Sequence, residues 1–214
     1  MTATSTERRD DGIIVAVAGA SRWGKTGWVK RELRAAERLL VWDIRGEYRN
    51  PDEFGWPGAQ TIRTIPELAR ALKNSRTGRA RLAYWGAAGT PAEFAEFCRL
   101  AYVWTQLWPS CTVVEELADV TTPAKAPPAW GELIRKGAYY GHHLYGITQR
   151  PAECDKTLWG NASLIHCTGF PLVRDREYMA RQLGCDPARI EALKPLHYLE
   201  RWAGATAITE GRLA

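Results

Sequence analysis

The stretch Gly19-Ala20-Ser21-Arg22-Trp23-Gly24-Lys25-Thr26 constrains this chain more than any other. It fits the pattern G-x-x-x-x-G-K-[ST], and its flanks fit as well. Before it, Ile13-Ile14-Val15-Ala16-Val17-Ala18 is a short, mostly β-branched apolar run, which predicts a buried strand. After it, residues 26–38 favour helix, with Trp28, Val29, Leu33 and Ala36 set among charged neighbours. A strand, a glycine-bearing loop and a helix start are the arrangement that cradles phosphate. Gly19 and Gly24 let the backbone bend and point N–H groups inward. The helix N-terminus adds partial positive charge. Lys25 can reach the outer phosphates of a nucleotide, and the Thr26 hydroxyl can hold Mg²⁺.

The chain has 214 residues with 45% apolar content, enough for one domain with a sizeable core. No apolar run approaches the roughly 20 residues of a membrane span. Residues 1–11 read as a disordered polar lead without a signal-peptide core, and residues 12–214 as a single domain, which places the protein in the cytoplasm. The five cysteines are odd in number and widely spaced, with no C-x-x-C pair. That argues against zinc and against a disulfide framework. The formal charge of +5 allows a nucleic-acid partner without demonstrating one. Ten tryptophans are many for this length, and most belong in the core or at a subunit interface.

Strand and helix patterns alternate along the chain. Leu39-Leu40-Val41-Trp42-Asp43 predicts a second strand, and the charged stretch Asp43 to Tyr48 follows it. That stretch is either the ligand edge of an open sheet or a solvated turn. Residues 50–58 are loop, and Pro66 to Leu72 a short helix. Six basic residues against one acid, Glu67, lie between Arg63 and Arg81. Among them Lys73, Arg76, Arg79 and Arg81 either track a phosphate backbone or form a solvated surface. Residues 81–85 predict a third strand. Thr90, Pro91 and Glu93 predict the capped start of a helix that runs to about Leu107.

Cys111 to Glu116 is an apolar strand ending in two carboxylates. Glu115 would order Mg²⁺, directly or through water, and Glu116 would polarise an attacking water. Residues 117–130 predict a proline-rich loop on the same edge, bearing Lys125. A helix follows at residues 130–140, then a fifth strand at 143–148. Gln149, beyond that strand, can sense a γ-phosphate or hold the attacking water. His142 and His143 lack a third ligand at metal spacing and read as structural. A sixth strand at 163–168, a helix closed by Gly184, a short helix from Asp186-Pro187 and a hairpin of 196–202 with 205–208 complete the chain. The alternation of strand and helix patterns reads as α/β.

Three segments together resemble the HerA–FtsK superfamily of DNA-pumping ATPases: the loop at 19–26, Val113-Val114-Glu115-Glu116-Leu117-Ala118-Asp119, and Ile147-Thr148-Gln149-Arg150-Pro151. FtsK-like members carry an Asp-Glu followed by Phe-Ala-Asp, and a Thr-Gln-Arg-Pro after the next strand. Gly46-Glu47-Tyr48 resembles the matching strand end of HerA-like members. The resemblance covers about residues 12–185 and implies a RecA-like P-loop NTPase core, with a central, mostly parallel sheet flanked by helices, that assembles as a homo-oligomeric ring around DNA. Carried over by position, residues 19–26 bind ATP, Thr26 and Glu115 belong to the Mg²⁺ site, Glu116 is the catalytic base and Gln149 the sensor. The position matching the family's arginine finger is Ala138. Arg135, one turn earlier, is the substitute, and Arg150 the second choice.

FtsK proteins add membrane spans and a DNA-reading domain, and HerA proteins a β-barrel. A bare core of this length resembles the genome-packaging ATPases of tailless, membrane-containing viruses. The leading reading is therefore an ATP-driven motor that packages DNA into a preformed capsid in the host cytoplasm, assembling on a portal or on DNA. Lys73, Arg76, Arg79, Arg81 and Lys125 are its DNA-contact candidates. The alternatives are a plasmid, conjugative or prophage translocase, and a monomeric nucleotide switch or small-molecule kinase.

Overall fold

The computed structural model describes residues 12–52, 55–76, 78–86, 89–124 and 126–213. The expected lead at 1–11 and Lys125 lie outside these. One nine-stranded sheet runs through the molecule in the order β3-β4-β2-β5-β6-β1-β7-β8-β9. Its strands are β1 (Ile14–Ala18), β2 (Arg38–Trp42), β3 (Gln60–Ile62), β4 (Ala80–Tyr84), β5 (Cys111–Val114), β6 (His143–Thr148), β7 (Leu164–Cys167), β8 (His197–Trp202) and β9 (Thr209–Arg212). The first seven are parallel, and β8 and β9 pair antiparallel at one side. The helices are α1 (Lys25–Leu33), α2 (Ile65–Asn74), α3 (Pro91–Leu107), α4 (Leu117–Val120), α5 (Pro128–Gly137), α6 (Lys156–Asn161), α7 (Val173–Leu183) and α8 (Pro187–Glu191).

The central strands are apolar on both faces because both faces are covered. Along β1, Ile14, Ala16 and Ala18 enter a core shared with α2, α3, α5 and α7. Val15 and Val17 enter a second core with Trp28, Val29 and Leu33 of α1. In β2 the same alternation sends Leu40 and Trp42 one way and Leu39 and Val41 the other. Trp42 is fully buried and packs against Tyr84, Phe94 and Phe97 at centroid distances of 5.2, 5.3 and 5.3 Å. Thr90 accepts from the Glu93 N–H and the Glu93 carboxylate accepts from the Thr90 N–H, which completes the expected capping box of α3. Gly184 closes α7 in the left-handed conformation.

Four local readings change. β3 lies just after the expected loop; it is a three-residue edge strand in which only Ile62 is buried, too short for an alternation signal. Residues 117–130 are not all loop: α4 occupies their start, and α5 begins at Pro128, a position where proline suits a first helical turn. α6 was not expected; its start is capped by Asp155, which accepts from the Thr157 N–H. The last strand is Thr209–Arg212 rather than 205–208, because β9 is a solvent-facing edge strand of polar residues, and apolar content does not mark such a strand.

Replacing Trp42 by Ala should cost about 3–5 kcal/mol of stability, the range for large-to-small aromatic truncation in a core. Equilibrium unfolding in denaturant checks this.

Candidate functional site

All seven parallel strands point their carboxyl ends to one edge of the sheet. The alignment is explicit across its middle: the Glu115 N–H donates to Trp42 O at 3.2 Å, and the Asp43 N–H to Tyr84 O at 2.9 Å. Residues that follow β1, β2, β5 and β6 therefore meet on this edge.

The loop after β1 is drawn onto its neighbours. Gly19 N–H donates to Thr148 O at 3.3 Å, and Ala20 N–H to Gly169 O at 2.9 Å. Trp23 lies against Gly169, where an added Cβ would come within 2.0 Å of the indole. Arg22 adopts a positive φ of 64°, and Gly24, at φ 95°, caps α1 in a conformation that favours glycine. Lys25 and Thr26 then open α1. Lys25 is buried, and its Nζ donates to Ala20 O at 2.7 Å. Burial pushes its ammonium pKa down, while Glu115, Glu116 and Glu47 hold it up.

The two carboxylates after β5 play distinct geometric parts. Glu115 Oε1 accepts from Thr26 Oγ1 at 3.2 Å and from Tyr48 Oη at 2.7 Å. Burial raises its pKa to about 7, against the lowering effect of the Tyr48 hydrogen bond. Glu116 sits at φ 50° and ψ 51°, a left-handed conformation that costs a bulky residue energy and turns its side chain toward β6. There its carboxylate accepts from Gln149 Nε2 and pairs with Arg45 at 3.0 Å. The hydroxyl of Thr26 and the carboxylate of Glu115, two hard oxygen donors on one spot, suit Mg²⁺, which takes few protein ligands and fills its shell with phosphate oxygens and water. Among the described residues no group of three or more His, Cys, Asp or Glu could hold a metal by itself.

The turn after β2 resolves the open choice between ligand edge and solvated turn. It lies on the site. The carboxylate of Asp43 accepts from the N–H groups of Glu47 at 2.7 Å and Tyr48 at 3.0 Å, and this fixes the Tyr48 phenol inside the protein. Tyr48 and Arg45 join the candidate site; Tyr48 belongs to the Gly46-Glu47-Tyr48 segment noted above, and Arg45 is marked only by the charged run at a strand end. A cleft of about 360 Å³ lies over the loop, lined by Ser21, Arg22, Lys25, Thr26, Glu47, and Leu196 and Leu213 from the C-terminal hairpin. Nothing local in the sequence marks those two leucines.

The remaining candidates are dispersed. Arg150 stands exposed on the carboxyl edge, 3.9 Å from Glu153. Arg135 is exposed near the far end of α5, on the way to the opposite edge. Lys73 and Arg76, at the end of α2, and Arg79, paired with Glu37 at 2.7 Å, also lie toward that opposite edge. Arg81 is turned inward: it donates to the carbonyls of Gly58, Leu33 and Ala36 and stacks on Trp56. His142 is buried beside the Ser110 hydroxyl, at 3.2 Å.

Burial also raises Asp43 from 3.8 to about 6. The native chain therefore binds this proton more tightly than the unfolded chain, so the group's stability contribution is full below 3.8 and lost as pH rises through about 6. Asp43→Asn stays neutral, so thermal melting of this variant across that window should show a flatter pH dependence than the parent.

No protein-family model matches the chain. Protein P9 of Pseudoalteromonas phage PM2 is 32% identical over 190 residues, spanning 87% of this chain and 83% of P9. The genome packaging NTPase B204 of Sulfolobus turreted icosahedral virus 2, solved with AMPPCP, superposes with a TM-score of 0.73 at 13% identity, over 94% of this chain and 98% of B204. VirB4 of Thermoanaerobacter pseudethanolicus follows at a TM-score of 0.55 and 10% identity, over 99% of this chain and 92% of that one. The sheet, its flanking helices and the terminal hairpin thus share the fold of the B204 structure, and the chain belongs to the family of phage PM2 Protein P9.

Proposed function

We propose that this protein is an Mg²⁺-dependent ATPase that drives viral DNA into a preformed capsid. The observation that carries the reading is the division of labour between Glu115 and Glu116. One carboxylate is turned to the Thr26 hydroxyl and the other to the Gln149 amide, on the edge where the phosphate loop opens. The likeness to packaging NTPases supports the biological setting.

In this reading the loop N–H groups and Lys25 hold the outer phosphates, and the Nζ–Ala20 contact exchanges for phosphate oxygens. Thr26 and Glu115 would hold Mg²⁺, which when bound would supply charge neutralisation at the phosphates. Glu116 takes a proton from the attacking water, which Gln149 orients. The left-handed backbone at Glu116 separates its carboxylate from that of its neighbour, so a metal-holding acid and a base coexist in adjacent positions. Subunits assemble as a ring around DNA, on a portal or on the DNA itself, and an arginine from one subunit completes the site of the next. Arg150 suits that role better than Arg135, because it stands exposed beside Gln149 on the catalytic edge.

Steady-state ATP hydrolysis, with and without DNA and over a range of protein concentrations, tests the reading. Turnover should rise with DNA and more than linearly with protein. Turnover linear in protein and indifferent to DNA would instead favour the monomeric switch or kinase. Lys25→Ala should abolish hydrolysis with folding retained. Glu116→Gln should keep ATP binding and lower turnover by about 10²–10⁴-fold, the usual worth of a general base.

A further inference from the structure

The carboxyl edge carries a second charged group, on the β3-β4-β2 side and separate from the phosphate loop. Trp85 follows β4 directly, anchored by its N–H to Ile62 O at 2.8 Å. The guanidinium carbons of Arg49 and Arg63 lie 3.6 and 3.7 Å from its ring centroid. Arg49 comes from the turn after β2, and its Nε donates to Gly46 O at 3.0 Å. That approach requires glycine: Gly46 has φ 72°, and a Cβ there would lie 2.7 Å from Arg49 Nε. Arg45, on the same turn, is half-exposed.

These arginines differ from the structural ones. Arg38 and Arg81 spend their N–H groups on backbone carbonyls. Arg63 donates none of its side-chain N–H groups to a described residue, and Arg49 donates only Nε. Neither guanidinium is ion-paired with a described residue, while the Glu67 carboxylate accepts from the Arg63 backbone N–H at 2.9 Å. Two guanidinium groups thus lie over one indole, with most of their hydrogen-bonding forks unspent. Planar guanidinium forks match phosphate oxygens bidentately, and holding them rigid lowers the entropy lost on binding.

We propose that Arg49 and Arg63, held over Trp85, form a binding site for the phosphodiester backbone of DNA. The site reads no bases, as a motor that moves along any sequence requires. The proposal rests on the translocase reading above, and places the DNA contact on the catalytic edge rather than at Lys73 and Arg76 on the opposite one.

The test is equilibrium binding of the full chain to a fluorescent, mixed-sequence DNA over a range of salt concentrations. Arg63→Ala is the decisive variant, because that side chain is exposed and makes no hydrogen bond that the fold needs. Thermal melting confirms that each variant is folded. Arg63→Ala should weaken binding and flatten the slope of log affinity against log salt by about one, and Arg49→Ala/Arg63→Ala by about two. Parental affinity and slope in a folded Arg63→Ala would overturn the site and leave the motor reading standing. So would loss of affinity in Lys73→Ala/Arg76→Ala with Arg63→Ala unaffected. If Arg63→Ala alters only the protein-concentration dependence of hydrolysis, the arginines serve a neighbouring subunit's nucleotide and the proposal fails. Absence of DNA binding by the parent chain at any salt would overturn the site and the translocase reading together.

Discussion

One oxygen of Glu115 accepts hydrogen bonds from both Thr26 and Tyr48, and this small junction ties together three strands. Thr26 belongs to the helix after β1, Glu115 follows β5, and Tyr48 lies in the turn after β2. β1 and β5 are not neighbours; β6 lies between them. The insertion of β6 is what brings Gln149 between the phosphate loop and the carboxylates, within reach of Glu116. A different strand order would leave the same residues in the chain without placing them on one site.

The junction is electrostatically demanding. Lys25, Glu115 and Tyr48 are all buried, and burial opposes charge on each of them. Glu115 and Lys25 therefore lean on one another and on the Tyr48 hydroxyl. Asp43, itself buried, binds backbone N–H groups and keeps that turn in place. In the proposed reading a nucleotide with its metal would meet an arrangement largely ordered on folding, with the Lys25–Ala20 contact the one to exchange.

The arginines divide by what their hydrogen-bonding groups do. Those at the strand starts, Arg38 and Arg81, are fastened to backbone carbonyls and stacked on Trp104 and Trp56. On the carboxyl edge Arg45 pairs with Glu116, while Arg49 and Arg63 lie over Trp85 with most of their side-chain donors unspent among the described residues. Tryptophan serves both groups, which accounts for part of the high tryptophan content: several indoles act as platforms for cations as well as core filler.

The sequence by itself determined the α/β class, the glycine-bearing loop between β1 and α1, the carboxylate pair after β5 and most strands and helices. The reason is that each rests on local chemistry: β-branched runs, capping residues, and glycine where the backbone must bend. The edge strands β3 and β9 and the short helices α4 and α6 were illegible, because the strands bury few residues and no periodicity accumulates over helices of four and six residues. Only the tertiary structure decided that the Asp43 to Tyr48 turn is part of the site, that Leu196 and Leu213 wall the cleft, that Arg81 is internal, and which arginines share an edge with the nucleotide loop. Those outcomes depend on strand order and on contacts between residues far apart in the chain, such as Thr26 and Glu115. Spacing along a sequence carries no record of which strand lies beside which.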